Sequence, residues 1–208
     1  MTENNISLIV YDCDGVIINS KKAVFAYYDI ICEKFNLKKF NWNNKKLVSD
    51  AMMKTSEEML FFLSDDDQQY REMLDCSKNI DFKQFINLIE LEPYIRETVD
   101  QLNQNGYKLA IFTNRGYSLY YLLFFFDIKK YFDFIVTSKD VSRPKPYPDG
   151  LLKIITHFDT GNQNVLFIGD SDGDYMAAEN AHIPFIGYKN SFNGTSSIES
   201  HSEIFNYL

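Results

Sequence analysis

From Pro93 to Tyr188 the chain alternates short apolar runs with helix-like segments, joined by links of a few residues. Tyr107 to Thr113 (YKLAIFT), Phe132 to Thr137 (FDFIVT), Val165 to Gly169 (VLFIG) and Pro184 to Tyr188 (PFIGY) read as strands. Their apolar residues run on without alternating, which is the pattern of a strand covered on both faces. Ile95 to Gln104, Tyr117 to Phe126, Pro148 to Phe158 and Asp172 to Ala181 read as the helices between them, with Asn105-Gly106 as a C-terminal stop for the first. Ser7 to Tyr11 (SLIVY) supplies one more buried strand near the amino terminus. Strand-helix alternation with short links predicts an α/β fold, a Rossmann-like parallel sheet flanked by helices. The PFIGY strand is expected to be the last. The run YSLYYLLFFF is too short to span a bilayer and is expected to form a buried helix.

Residues 20–90 depart from this rhythm. Ser20 to Phe35 has helical periodicity, with Ser20 as its expected N-cap. From Asn36 to Glu92 there is no glycine and no clear strand, and short amphipathic patches suggest helices capped by Ser56 and Asp81. The reading is one α/β core domain, residues 1–19 with 91–208, carrying an inserted all-α cap subdomain over residues 20–90. A chain of 208 residues suits that size.

The formal net charge of −8 argues against nucleic acid or an anionic membrane as partner, because both are polyanions. It leaves room for a small anionic substrate held by local cations. Cys13, Cys32 and Cys76 lack metal-ligand spacing and read as reduced thiols. The N-terminal MTENNIS is polar and has no basic start, so no signal peptide is expected and the location reads as cytoplasmic.

In an open parallel sheet, sites form beyond the carboxyl ends of the strands. Polar residues stand at that place four times: Asp12 and Asp14 after SLIVY, Thr113 and Asn114 after LAIF, the Arg143-to-Pro148 segment with Lys145 after FDFIVT, and Asp170, Asp172 and Asp174 after VLFIG. Crowded carboxylates repel unless a cation intervenes. An all-oxygen set suits Mg²⁺, which takes one or two carboxylates and recruits substrate phosphate.

These residues also resemble the motifs of the haloacid dehalogenase superfamily. Asp12-Cys13-Asp14-Gly15-Val16-Ile17 is similar to its first motif, Ile111-Phe112-Thr113-Asn114 to the second, Pro144-Lys145-Pro146 to the third and Gly169-Asp170-Ser171-Asp172-Gly173-Asp174 to the fourth. The helical insert between the first two resembles the cap of the phosphoglycolate phosphatase and β-phosphoglucomutase branch. The resemblance implies a Mg²⁺-dependent phosphatase acting on a small soluble phosphate monoester through an aspartyl-phosphate. It makes Asp12 the nucleophile and Asp14 the general acid and base. Thr113 and the Asn114 backbone would bind phosphoryl oxygens, and Lys145 would offset charge. Asp12, Asp170 and the main-chain carbonyl of Asp14 would hold Mg²⁺, with Asp174 in support. Gly15 and Gly173 are expected in tight turns near phosphate. Lys54, in the stretch where relatives carry a specificity loop, is the candidate substrate contact in the cap. His157, His182 and His201 match no motif and are expected to be structural.

Alternatives remain. A phosphosugar mutase of the same fold is disfavoured because Val24 stands where mutases of that branch carry a cap histidine. Asp14 disfavours dehalogenase and phosphonate-cleaving chemistry, whose members lack an acid there. A receiver-like phosphoacceptor domain gathers similar groups, but its acid pair precedes a phosphoacceptor on a later strand and it has no large insert. A binding protein that kept the fold without turnover is disfavoured by the complete set of Asp12, Asp14, Thr113, Lys145 and Asp170.

Overall fold

The computed structural model describes residues 6–208. The reading of the amino-terminal MTENNIS as no signal peptide falls mostly on residues 1–5, outside the described part. The chain divides into two compact units, residues 1–18 with 91–208, and residues 19–90.

The first unit is built on a six-stranded sheet, every adjacent pair parallel. Its strands are β1 (Leu8–Tyr11), β4 (Lys108–Phe112), β5 (Phe134–Val136), β6 (Val165–Gly169), β7 (Phe185–Tyr188) and β8 (Ser197–Ile198), in the order β5-β4-β1-β6-β7-β8. Two further strands of two residues each, β2 (Ile18–Asn19) and β3 (Glu90–Leu91), pair with one another where the chain leaves and re-enters this unit. The helices are α5 (Ile95–Gln104), α6 (Ser118–Phe125), α7 (Asp149–Phe158) and α8 (Asp172–Ala181). Leu8, Val10, Ala110, Phe112, Leu151, Ile154, Val165, Phe167 and Ala178 are among the residues of one buried cluster between sheet and helices. Each large aliphatic side chain buried there contributes about 1.5–3 kcal/mol.

The second unit contains α1 (Lys21–Lys34), α2 (Lys45–Met53), α3 (Ser56–Leu63) and α4 (Asp67–Lys78), followed by 3₁₀ turns over Phe82–Leu88. Its own core holds Tyr28, Ile31, Ala51, Met59, Leu60 and Met73.

Ser20 is the N-cap residue of α1, as expected, although it makes no side-chain cap bond to that helix. Three local expectations are corrected. The cap of α3 is Thr55, one residue before Ser56, because Glu58 three residues on completes a capping box with it. PFIGY is not the last strand: β8 pairs beyond it, too short and polar to show in the pattern. The aromatic run is not a buried helix. Leu119, Leu122 and Leu123 of α6 are buried, but Phe124 is 79% exposed and Tyr117 63%. Three buried positions at helical spacing dock the helix, and the rest of that apolar run faces outward.

His201 is buried, and its ring stacks on Tyr188 at 4.3 Å between centroids. Its Nε2 lies 2.8 Å from the Val16 carbonyl oxygen, which only accepts, so Nε2 carries the hydrogen. Burial pushes the imidazole down from 6.5 to about 4, against the opposite pull of that carbonyl. Below pH 6.5 the unfolded chain takes up a proton that the folded chain refuses until about pH 4. Stability from this residue is therefore full above that window and lost as the pH falls through it, by up to about 1.4 kcal/mol per pH unit. Urea unfolding between about pH 7 and about pH 4 should show this slope. His201→Phe keeps the stacked ring and cannot titrate, so its profile should be flatter. Parallel profiles for the two proteins would show that His201 is not the source.

Candidate active site

The parallel register brings the strand ends level. Tyr11 at the end of β1 pairs with Ile111 of β4 and with Ile168 of β6. Asp12, Thr113 and Asp170 therefore leave the sheet along one edge. The Asp12 main-chain N–H still donates to Ile168 O at 2.9 Å, which holds the aspartate at the rim.

Lys145 is the centre of this edge. Its ammonium donates to Asp12 Oδ1 and to Asp174 Oδ1, each at 2.5 Å. All three residues are buried, and the Lys145 charge also lies over the Phe112 and Phe167 rings at 5.5 and 5.8 Å. Burial works against the ammonium, but Asp12 and Asp174 more than offset it and raise its pKa. The Lys145 backbone is clamped as well. Its N–H donates to Asn114 Oδ1 at 2.9 Å, and the Asn114 amide donates to Lys145 O at 3.0 Å. The Asn114 side chain thus fixes the loop that carries Lys145.

Asp174 is wholly buried and occupied on both oxygens. Besides Lys145, it accepts from the Ser171 hydroxyl at 2.5 Å and the Ser171 main-chain N–H at 3.1 Å, closing the capping box that starts α8. Asp172 is the first residue of that helix and exposed, as its sequence position suggests.

Asp12, Asp170 and Asp174 each offer a carboxylate oxygen, and these atoms lie within 4.8 Å of one another. Burial pushes Asp12 up to about 7; Lys145 pulls it down, and the Asp174 and Asp14 carboxylates push it further up. Burial and the neighbouring Asp12 and Asp174 push Asp170 up to about 8. Such a hard, all-oxygen cluster short of positive charge fits a divalent cation.

Two glycines permit the crowding. Gly15 has φ +89°, and a Cβ there would lie 2.0 Å from Asp170 Oδ2. A Cβ on Gly169 would lie 2.3 Å from the Asp174 Cβ. Gly173, expected in a tight turn, is instead an ordinary helical position of α8 where a Cβ meets nothing nearer than 3.6 Å.

Thr113 is buried beside this edge, and its hydroxyl oxygen accepts the Arg115 N–H at 3.0 Å. The hydroxyl proton is not used in that bond. Asp14 is held by Arg115, whose Nε donates to Oδ2 at 2.8 Å and Nη2 to Oδ1 at 2.5 Å. Arg115 was missed in the sequence; the available signal was a cation directly following Thr113-Asn114. Burial works against its charge, and Asp14 outweighs that and raises its pKa. Lys54 stands in the second unit, at the C-cap of α2, 3.7 Å from Asp50. Cys13 is fully buried, and burial pushes its thiol well above the ordinary range, as suits a packing residue. The three cysteines are free. His157 stacks on Phe134 and His182 ends α8 in the left-handed conformation.

A level parallel edge with a buried lysine among aspartates gathers the kind of charges that phosphoryl groups and divalent ions interact with, and comparison with known proteins identifies the family. The model of the haloacid dehalogenase-like hydrolase family matches residues 9–188. A crystal structure of a HAD-superfamily hydrolase of subfamily IA from Geobacter sulfurreducens is 32% identical, superposes with a TM-score of 0.79 and covers 99% of this chain and 98% of that one. Pyrophosphatase PpaX of Bacillus mycoides is 23% identical over 198 residues, 94% of this chain and 89% of the relative. Phosphoglycolate phosphatase of Escherichia coli is 34% identical over 110 residues, 52% of this chain and 44% of the relative. The chain belongs to the haloacid dehalogenase-like hydrolases. No helix among the described residues is long and apolar enough to cross a membrane.

Gly15→Ala should weaken Mg²⁺ binding by about tenfold or more, because the new methyl displaces Asp170, while positive φ costs the fold only about 1 kcal/mol. Isothermal titration and thermal melts measure the two effects separately. Unaltered affinity would remove Asp170 from the cation site.

Proposed function

We propose that this protein hydrolyses a small phosphate monoester by transient phosphorylation of Asp12. The observation that carries the reading is the buried contact of Lys145 with Asp12, at the same strand edge as Asp170 and Asp174. A buried carboxylate beside a fixed ammonium is oriented and ready to attack, and fixed charges act strongly where water is excluded.

In this reading a carboxylate oxygen of Asp12 forms a bond to phosphorus as the bond to the leaving oxygen breaks. Asp14 gives that oxygen a proton. A water then attacks phosphorus and passes its proton to Asp14, and Asp12 is released as a carboxylate with inorganic phosphate. Thr113, through its unspent hydroxyl proton, and the main chain at Asn114 bind phosphoryl oxygens. Lys145 offsets charge on both Asp12 and the phosphoryl group, and Asp174 holds Lys145 in place. Asp12, Asp170 and the Asp14 carbonyl would hold Mg²⁺, which when bound supplies the further positive charge that phosphoryl transfer needs. Four bonds to Asp174, from Lys145, Ser171 and the Asp170 and Ser171 main chain, favour a supporting place for it behind the ion.

Residues 19–90 serve as the cap in this proposal, and Lys54 as a substrate contact within it. The substrate is a small phosphorylated metabolite. 2-Phosphoglycolate is the first candidate monoester, since a relative carries that name; pyrophosphate, an anhydride open to the same attack on phosphorus, is the alternative that another relative's name suggests.

p-Nitrophenyl phosphate should be hydrolysed with Mg²⁺ and not with excess EDTA. Asp12→Asn should lose roughly 10³-fold or more in kcat while remaining folded by circular dichroism. Acid quench of wild type during turnover should trap one phosphoryl group on the peptide containing Asp12, seen by mass spectrometry. Full turnover in Asp12→Asn would end the proposal. On a panel of metabolite phosphates, Lys54→Ala should raise KM for the preferred substrate more than for p-nitrophenyl phosphate. Equal effects would remove Lys54 from specificity.

A further inference from the structure

The mechanism above uses Asp14 but gives no role to the residue that grips it. Arg115 takes both oxygens of the Asp14 carboxylate, at 2.8 and 2.5 Å. A two-point contact from a planar guanidinium fixes the position and the plane of a carboxylate, which a single ammonium does not. Arg115 is itself held. Its main-chain N–H donates to the Thr113 hydroxyl at 3.0 Å, and Nη1 donates to Ser118 Oγ at 3.4 Å. Its side chain is only 9% exposed, and that of Asp14 15%. The two residues stand 101 positions apart, so the fold makes the contact and no local turn dictates it. Asp14 sits near enough to the reacting edge for its charge to be felt at both Asp12 and Asp170.

The geometry points to Arg115 as a positioning residue that sets the Asp14 carboxylate in the place from which it serves the phosphoryl group on Asp12. The inference rests on Asp14 being the acid and base of the proposed reaction. When water attacks the phosphorylated Asp12, the phosphorus–oxygen bond to Asp12 breaks, its electron pair returns to the Asp12 carboxylate, and the water proton moves to Asp14. Arg115 exchanges no proton and touches no substrate; it fixes where the receiving oxygen stands. A purely structural ion pair would change melting and leave the kcat of the folded protein alone. An arm for a second anionic group on the substrate would change KM.

The test compares wild type with Arg115→Met, Arg115→Lys, Asp14→Asn and the double variant of Arg115→Met with Asp14→Asn. Each is assayed with p-nitrophenyl phosphate and with 2-phosphoglycolate, which carries a carboxylate besides its phosphate, in the presence of Mg²⁺, alongside thermal melts and Mg²⁺ titration. Arg115→Met should lower kcat about 10–100-fold at saturating Mg²⁺, with KM within about twofold. In the Asp14→Asn background the same substitution should cost nothing more, as expected when one residue acts through the other. Arg115→Lys should fall in between, and it carries the test if Arg115→Met does not fold. A crystal structure of either variant should show the Asp14 carboxylate in a new orientation. Wild-type kcat in the folded variants, an equal further loss in the Asp14→Asn background, or a change confined to KM would each overturn the assignment. An inert wild type would overturn the proposed reaction and this inference together. An active wild type with a crippled Asp14→Asn and an unaffected Arg115→Met would overturn the inference alone.

Discussion

The buried ammonium of Lys145 is the constraint on which the rest of this edge depends. Among the described residues it is the one buried lysine, and it touches Asp12 and Asp174 together. A charge in that setting is tolerated only when paired on good geometry, and removing one partner of such a pair costs about 3–5 kcal/mol. The surrounding structure supplies the geometry from several directions. Asn114 clamps the Lys145 backbone, the Phe112 and Phe167 rings lie beneath its charge, and Asp174 is pinned by Ser171. These groups come from the end of β4, from β6 and from the start of α8, so the site is a property of the assembled sheet.

That assembly follows from the parallel register. Because β1 lies between β4 and β6 and all three end level, residues far apart in sequence meet within side-chain reach. The same levelness makes the edge crowded, and glycine relieves it where main chain and carboxylate would collide, at Gly15 and Gly169. Fold and site are thus one problem of packing: a bulkier residue at either glycine disturbs the carboxylates before it disturbs the sheet.

Much of this was legible in the sequence. Continuous apolar runs marked β1, β4 and β6, since strands buried on both faces have no polar alternation to hide them, and α5 and α8 begin and end where periodicity places them. The acidic strand ends were legible because burying them makes no sense without chemistry. What escaped was whatever depends on a partner elsewhere. The grip of Arg115 on Asp14 spans 101 positions, and Asn114 spends its side chain on a backbone 31 positions away. The α6 aromatics read as buried because the pattern gives hydrophobicity but not what covers it; Phe124 and Tyr117 have no such cover in their own unit. β8 escaped because two residues carry no periodicity.

The charges at the edge explain why these contacts occur together. Asp14 and Arg115 neutralise each other at two points. Asp12, Asp170 and Asp174 then face the single ammonium of Lys145, which leaves two negative charges unmatched. That surplus is the charge of one divalent ion, and it is why burial and neighbouring carboxylates hold Asp12 and Asp170 above the ordinary carboxylate range. If Asp14 lacked its own guanidinium, its charge would join the surplus, and the same ion would have to serve four carboxylates. Pairing Asp14 separately confines the deficit to the carboxylates that surround the cation site, and it leaves Lys145 committed to Asp12 and Asp174. The division of labour between the two cations is therefore electrostatic before it is catalytic: one compensates the carboxylate proposed to attack, the other isolates the carboxylate proposed to carry the proton.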